Sequence, residues 1–490
     1  MSGHPSIPPS QVPDPSGPVP APGPGGSTPP PGAAGPLAGW KTLLALISLA
    51  FSVLLWFNGL VDSLSRPSVV DALSLRQLEL SALAAAAVPE ALQPTLLGKD
   101  PRANLADELE RQMQGSDLPA PVVQRLELAL LLRGRAPEAS AGQLRELREM
   151  IDTPRRPLLD ALIAGERPLP EQQRQLLAAW KAPTMLQQLS CEQLGGPESA
   201  CPAARSGSRL LLQLLGVSLV PGVLLLGGLI LLLREGWLTW RGRLAPAAQL
   251  LGPPLDVVDV TLLIAGGFVL MGEVLTPQLL QGGLTAVVGG LALSEALSQG
   301  VQVIVLYLGL MTAPLLMLWR LLAASHSTPP PGGWLQWHWH PPGTALLQAV
   351  RTLLMVLPVV ALSGWLIDTV WKDPGGSNPL LELVLTSADS RALACLAFTA
   401  IVLAPLFEET LFRGVLLPVI GQRWGPGRGV LVSAAIFALA HLSLGELVPL
   451  FLLGLGLGWL RWRTGRLAAP VLMHGLWNGL TFLNLLLLAN

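Results

Sequence analysis

The sequence predicts an all-α, polytopic membrane protein of about nine spans, with a small all-α soluble insert and a disordered amino-terminal tail. Three observations carry that prediction. The 490 residues are 51% hydrophobic and 13% charged, with a mean hydropathy of +0.52, too apolar for a water-soluble chain of this size. The apolar residues gather into runs of about 20, the length a helix needs to cross hydrocarbon. A charged region with leucines at helical spacing, 62–208, interrupts those runs. The formal net charge of −1 gives no electrostatic footprint for nucleic acid.

Residues 1–36 are rich in Pro, Gly and Ser and carry no Lys or Arg; such a stretch cannot bury enough surface to offset its ordering entropy, so it reads as a disordered tail. It also lacks the basic start of a secretory signal. Residues 37–61 hold the first span, centred on Leu43 to Val61. In the insert, Leu105, Leu109, Leu144 and Leu147 mark helix faces. Asp100-Pro101 reads as a helix start, and Ser140-x-x-Gln143 as a capping box. Nothing in the insert groups into chemistry, so it is a packing module available to dock a partner. Cys191 and Cys201 flank a short Gly/Pro loop that can close as a disulfide in an oxidising compartment, or stay as two thiols. Further spans are expected at 209–233, 257–275, 301–322, 344–371, 392–417, 428–444, 446–461 and 467–488. The stretch 283–297 is short and Gly-rich and reads as interfacial or re-entrant. Spans within 209–343 carry no assigned role. Trp334 to His340 reads as an interfacial anchor rather than a metal site, and Gly454 with Gly458 as a close helix contact.

Arginines place the amino terminus in the cytosol. Arg234, Arg241 and Arg243 follow the second span; Arg413, Arg423 and Arg428 lie between the sixth and seventh; Arg461, Arg463 and Arg466 lie between the eighth and ninth. The insert 62–208 and the carboxyl terminus then lie outside the cytosol, where a Cys191–Cys201 disulfide is allowed.

The chain is organised around Pro405 to Gly414, an apolar stretch with Glu408, Glu409 and Arg413 inside it. Ionisable groups in a membrane segment cost a few kcal/mol each on insertion scales and mark functional sites by default. Glu409 and Arg413, at i and i+4, share a helix face and read as a supporting ion pair; Glu408 points about 100° away. Two later runs supply companions at the same spacing, Phe437 with His441 and His474 with Asn478. Glu408 is placed to act as general base on a water that His441 orients, with His474 and Asn478 as donors to a developing oxyanion. That is a constellation for hydrolysing an amide within the membrane.

The three pieces, Glu408-Glu409-Thr-Leu-Phe-Arg413, Phe437-Ala-Leu-Ala-His441 and His474-Gly-Leu-Trp-Asn478, resemble the motif set of the CPBP family, the CAAX-endoprotease and bacteriocin-processing (Abi-type) intramembrane proteases. The resemblance covers 344–490. It implies a helical membrane fold around a conical cavity, with Glu408, His441, His474 and Asn478 in the roles given above, and a membrane-embedded or membrane-tethered peptide as substrate within the lipid bilayer. The family is often called metalloprotease. The sequence lacks an HExxH zinc motif; Glu408, Glu409, His441 and His474 are the residues available to a divalent metal such as zinc, which this reading does not require. Two other readings stand beside it: a non-catalytic scaffold or bacteriocin-immunity factor, and a transporter using the carboxylates as proton relays.

Overall fold

Backbone N–H and C=O groups find no partner in hydrocarbon, so an apolar run must satisfy them within itself, as a helix. The computed structural model describes residues 36–66, 69–115, 121–180, 182–195, 201–371, 383–385, 387 and 389–489, and every regular element among them is helical. Of the predicted tail, 1–36, residues 1–35 lie outside the described residues and Pro36 opens the first helix. From Leu44 onward the chain forms one compact unit.

The first helix, α1, is Pro36–Ser63. Shorter helices follow, of which the longest are α2 (Val69–Ala84), α3 (Pro101–Gly115), α4 (Val122–Leu132), α5 (Pro137–Met150), α6 (Arg156–Ala164), α7 (Pro170–Ala179) and α8 (Thr184–Gln193). Then come the long helices: α9 (Pro202–Trp240), α10 (Val257–Gly289), α11 (Glu295–Ala323), α12 (Pro342–Val370) and α13 (Ser390–Trp424). The chain closes with α14 (Pro426–Leu439), α15 (Leu447–Thr464) and α16 (Ala468–Ala489).

Among the described residues seven helices are long and apolar enough to cross a membrane, within α1, α9, α10, α11, α12, α13 and α16. The chain is an integral membrane protein. Large apolar side chains stand exposed along α1 and α9, among them Leu54, Phe57, Leu226 and Leu233, the pattern lipid covers. Two of the nine expected spans are not among these seven. The expected 428–444 span is α14, 14 residues long, about 21 Å at 1.5 Å per residue. It ends at Leu439 because the backbone turns there, with Leu442 at φ +50°. The expected 446–461 span is α15, 18 residues.

Other expectations change. The stretch 283–297, expected as a separate interfacial or re-entrant segment, is divided between two long helices: its first half completes α10 and its last residues open α11. Pro277 does not break α10, because it follows a run of wide π turns, Leu262–Leu275, and falls in the first turn of the α-helical part. Ser140 is not a cap. Pro137 starts α5 a turn earlier, so Ser140 is buried and donates to the Ala129 carbonyl at 2.6 Å. Asp100 does cap α3, accepting from the Arg102 and Ala103 amides at 3.1 and 3.0 Å. Arg413 and Arg461 are fully buried, so neither is a loop charge; Arg461 instead donates to the Leu251 carbonyl at 2.9 Å.

The helices α2 to α8 share a core that contains Leu105, Leu109, Leu144 and Leu147 and runs on into Leu210 and Leu214 of α9 and Leu488 of α16. Cys191 and Cys201 form a disulfide joining the end of α8 to the start of α9, with Cα atoms 5.8 Å apart. The second core is built around α13, α14, α15 and α16, with Phe407, Phe412, Phe437, Leu453 and Met473 at its centre. Gly454 and Gly458 let α15 lie against α14: a Cβ on Gly454 would stand 3.0 Å from the Ala434 Cα. Between α11 and α12, Gln336 is buried with φ +57° and accepts from the Leu467 amide at 2.9 Å, which fixes the start of α16. Trp337 and Trp339 stack beside it at 5.8 Å, and the His338 ring bonds Gln336 at 2.9 Å.

One buried carboxyl in the first core sets a pH dependence. Glu127 of α4 is pushed up from 4.5 to about 8, chiefly by burial and then by the neighbouring Glu79, with Arg76 opposing. The folded state therefore keeps a proton that the unfolded chain releases. The stability this group contributes is complete below about pH 4.5 and is lost as pH rises through about 8. Glu127→Gln should flatten that decline and raise the melting temperature above wild type at pH 8.5, but not at pH 5, in thermal unfolding of the detergent-solubilised protein. Parallel curves for the two proteins would show the group to be without effect.

Candidate active site

Glu408 and Glu409 lie in α13 between two stretches of wide π turns, Thr399–Leu403 and Thr410–Leu416. Such turns shift the side-chain register of a helix and recur at functional sites. The two carboxylates face different partners, as their separation of about 100° requires.

Glu409 is fully buried. Its Oε1 accepts from Arg413 at 2.9 Å and from His474 Nδ1, also at 2.9 Å. The second guanidinium arm donates to the Gly454 carbonyl at 3.1 Å. The guanidinium also lies 4.4 Å from the Phe437 ring centre, a cation–π contact in a desolvated setting. Arg413 thus joins α13, α14 and α15, and Glu409 joins α13 to α16. Because a carboxylate only accepts, His474 Nδ1 carries the hydrogen, and its Nε2 is turned to the other carboxylate.

Glu408 is partly exposed, its side chain 16% accessible. Its Oε1 accepts from the Tyr307 hydroxyl of α11 at 3.1 Å. Its Oε2 stands 4.0 Å from His474 Nε2, too far for a direct hydrogen bond, and has no hydrogen-bond partner among the described residues. Glu408 therefore holds one fixed oxygen and one free oxygen directed at an imidazole nitrogen.

His441 follows α14. Its Nδ1 donates to the Phe437 carbonyl at 2.8 Å, which leaves Nε2 as the available nitrogen. The Phe437 ring touches both imidazoles, with centroids 4.7 Å from His441 and 5.6 Å from His474. The loop after His441 is pinned by the end of α1. Arg66 donates to the Leu442 carbonyl at 2.8 Å, and Ser63 Oγ accepts from the Leu444 amide at 3.1 Å. Asn478, one turn beyond His474, donates to the Ala400 carbonyl at 2.7 Å. That carbonyl lies in a π stretch, and the contact leaves Asn478 one further amide hydrogen.

The structure thus brings Glu408, Glu409, Arg413, Phe437 and His474 into one connected set, with His441 against Phe437 and Asn478 against α13. Sequence reasoning missed Tyr307, and with it Glu273 of α10, whose Oε2 accepts from Trp56 Nε1 at 3.3 Å. Glu273 lies close enough to Glu408 to feel its charge. Both carried a signal: Tyr307 is the single tyrosine of the chain, and Glu273 is an ionisable group in an apolar run. Among the described residues no three His, Cys, Asp or Glu side chains form a group that could hold a metal ion. Of the four residues the sequence offers to a metal, Glu409 has its Oε1 shared by Arg413 and His474, while Glu408 Oε2 and His474 Nε2 face each other across 4.0 Å.

Breaking a buried pair by removing one partner leaves an uncompensated charge, at a cost of about 3–5 kcal/mol. Arg413→Leu should therefore lose the folded protein or lower its melting temperature steeply. A smaller loss is expected for the double variant Arg413→Leu with Glu409→Leu, which buries no orphan charge. Equal melting of wild type and the single variant would contradict the buried-pair account.

Comparison with known proteins adds an independent line. Residues 390–480 match the family described as type II CAAX prenyl endopeptidase, Rce1-like, a narrower segment than the motifs alone suggested. Residues 70–212 match a family described as a domain of unknown function (DUF8675). An uncharacterized 24.3 kDa protein of Escherichia coli is 44% identical over 81 residues, which is 16% of this chain and 37% of that protein. No solved structure matches the chain. The Rce1-like match takes in Glu408, Glu409, Arg413, Phe437, His441, His474 and Asn478, and by it the chain is an integral membrane protein carrying a segment consistent with a CPBP-family intramembrane protease.

Proposed function

We propose that the protein is an intramembrane endopeptidase that hydrolyses a peptide bond of a membrane-associated protein or peptide, with Glu408 activating the water. One observation carries the reading: the free Oε2 of Glu408 facing His474 Nε2 across 4.0 Å. A water placed between them lies within hydrogen-bond reach of both. Glu408 Oε2 takes a proton from that water as its oxygen attacks the carbonyl carbon. On this reading His441, whose Nδ1 is engaged by the Phe437 carbonyl, orients the water through Nε2. The oxyanion that forms faces His474 Nε2 and the spare amide hydrogen of Asn478. Glu408 then returns its proton to the leaving amine, so that water is divided between the new acid and the new amine.

The geometry around His474 supports this: Glu409 holds Nδ1 at 2.9 Å, which turns Nε2 toward Glu408. The chemistry runs on the chain's own side chains and routes no step through a divalent ion. The amino terminus is cytosolic on this reading, with 62–208 and the carboxyl terminus outside the cytosol. That side permits the Cys191–Cys201 disulfide.

A general base contributes about 10²–10⁴-fold. Purified wild type should cleave members of a library of membrane-tethered peptides, and Glu408→Gln should cleave them slower by that factor while melting like wild type. A chelator should leave the wild-type rate unchanged; its loss with chelator and return with added zinc would assign the water to a metal. Cleavage by Glu408→Gln at the wild-type rate would sink the reading, and a folded wild type that cleaves nothing would favour a non-catalytic membrane scaffold or immunity factor.

A further inference from the structure

A glutamate side chain has several free torsions, and a general base is effective only if one oxygen stays aimed at the reacting water. Within the Rce1-like segment 390–480 nothing described bonds the Glu408 carboxylate. The group that does so comes from α11, outside that segment. The Tyr307 hydroxyl donates to Glu408 Oε1 at 3.1 Å.

Tyr307 is itself held. Its ring meets Phe407 edge-on, with centroids 6.3 Å apart and planes at 87°. Phe407 begins a ladder of aromatic contacts through Phe268, Phe412 and Phe437, with centroid spacings of 5.8, 6.2 and 5.6 Å. The ladder ends on His441 and His474. It connects the ring that holds the base to the ring between the two histidines, so the spacing of the polar groups is set by stacked, rigid side chains.

The approach of α11 to the site depends on glycines of α10. A Cβ on Gly272 would stand 2.9 Å from the Leu310 carbonyl oxygen, and one on Gly267 would stand 3.3 Å from the Pro314 Cα. Beside this contact Glu273 of α10 is braced by Trp56 of α1, whose Nε1 donates to its Oε2 at 3.3 Å.

We propose that Tyr307 is the positioning residue of the Glu408 carboxylate: its O–H holds Oε1 and leaves Oε2 directed at His474, so the site is completed from outside the Rce1-like segment. The kinetic part of this rests on the endopeptidase reading. The structural part, that the phenol donates to Glu408, does not.

The test uses the full chain in lipid nanodiscs. Tyr307→Phe keeps the ring and its contact with Phe407 and removes only the hydroxyl. It should lower kcat roughly 10–100-fold and leave KM unchanged, with substrate binding and melting as in wild type. A tyrosine that merely satisfied its own buried hydroxyl would, when changed to Phe, alter stability and leave kcat per folded molecule as it was; that result overturns the proposal, while an inactive Glu408→Gln in the same assay would keep the endopeptidase reading intact. A second measurement needs no activity. Tyr307 is the chain's single tyrosine, so the tyrosine doublet in ultraviolet resonance Raman spectra reports its hydroxyl alone. Glu408→Ala should shift that doublet away from the form of a phenol donating to a carboxylate. An unchanged doublet overturns the proposal whether or not the wild type cleaves.

Discussion

The buried contact of Glu409 with Arg413 and His474 is the constraint on which the rest of the membrane region depends. A guanidinium and a carboxylate out of water cost several kcal/mol each before they are paired, so every group able to satisfy them must be brought to them. Arg413 reaches α15 only where Gly454 exposes a carbonyl, and α15 can lie that near to α14 only because Gly454 has no side chain against Ala434. His474 reaches Glu409 only if α16 starts at the right height, which the Gln336 carbonyl fixes at Leu467. The polar contacts thereby determine which small residues line the helix contacts.

Satisfying Glu409 leaves Glu408 in a different state. One carboxylate has its Oε1 shared by two donors; the adjacent one has a single donor on Oε1 and a free Oε2. Two neighbouring residues of the same type thus have separate uses because one is fully buried and the other faces α11. The π turns on either side of the pair make that division compatible with one continuous helix. On the reading proposed, Glu409 orients the imidazole and Glu408 works on the water, and elements from α1 to α16 contribute to a site whose motifs occupy only the last part of the chain.

The polar cluster was legible in the sequence because the cost of ionisable groups in apolar runs makes them stand out, and the i, i+4 spacing of Glu409 with Arg413 gave their contact directly. The helical class followed from the apolar runs for the same reason. What was not legible depended on contacts between distant segments. Ser140 looked like a cap because its spacing to Gln143 fits, but Pro137 had already started the helix. Arg461 looked like a loop charge by position alone, and only packing shows it fully buried. Asn478 pairs with His474 in sequence, yet one of its hydrogens goes to a carbonyl of α13. Tyr307 has no motif at all; a lone tyrosine in a greasy helix acquires meaning only when Glu408 is found at its hydroxyl.

On the proposed mechanism Glu408 removes a proton from water and does not itself attack the peptide. The most direct measurement is a single turnover in water enriched in heavy oxygen, with mass analysis of the newly formed carboxyl group. Activated water predicts one heavy oxygen in every product of the first turnover. A first product carrying only light oxygen would mean that the Glu408 carboxylate had supplied the atom through an acyl-enzyme, and would contradict the claim.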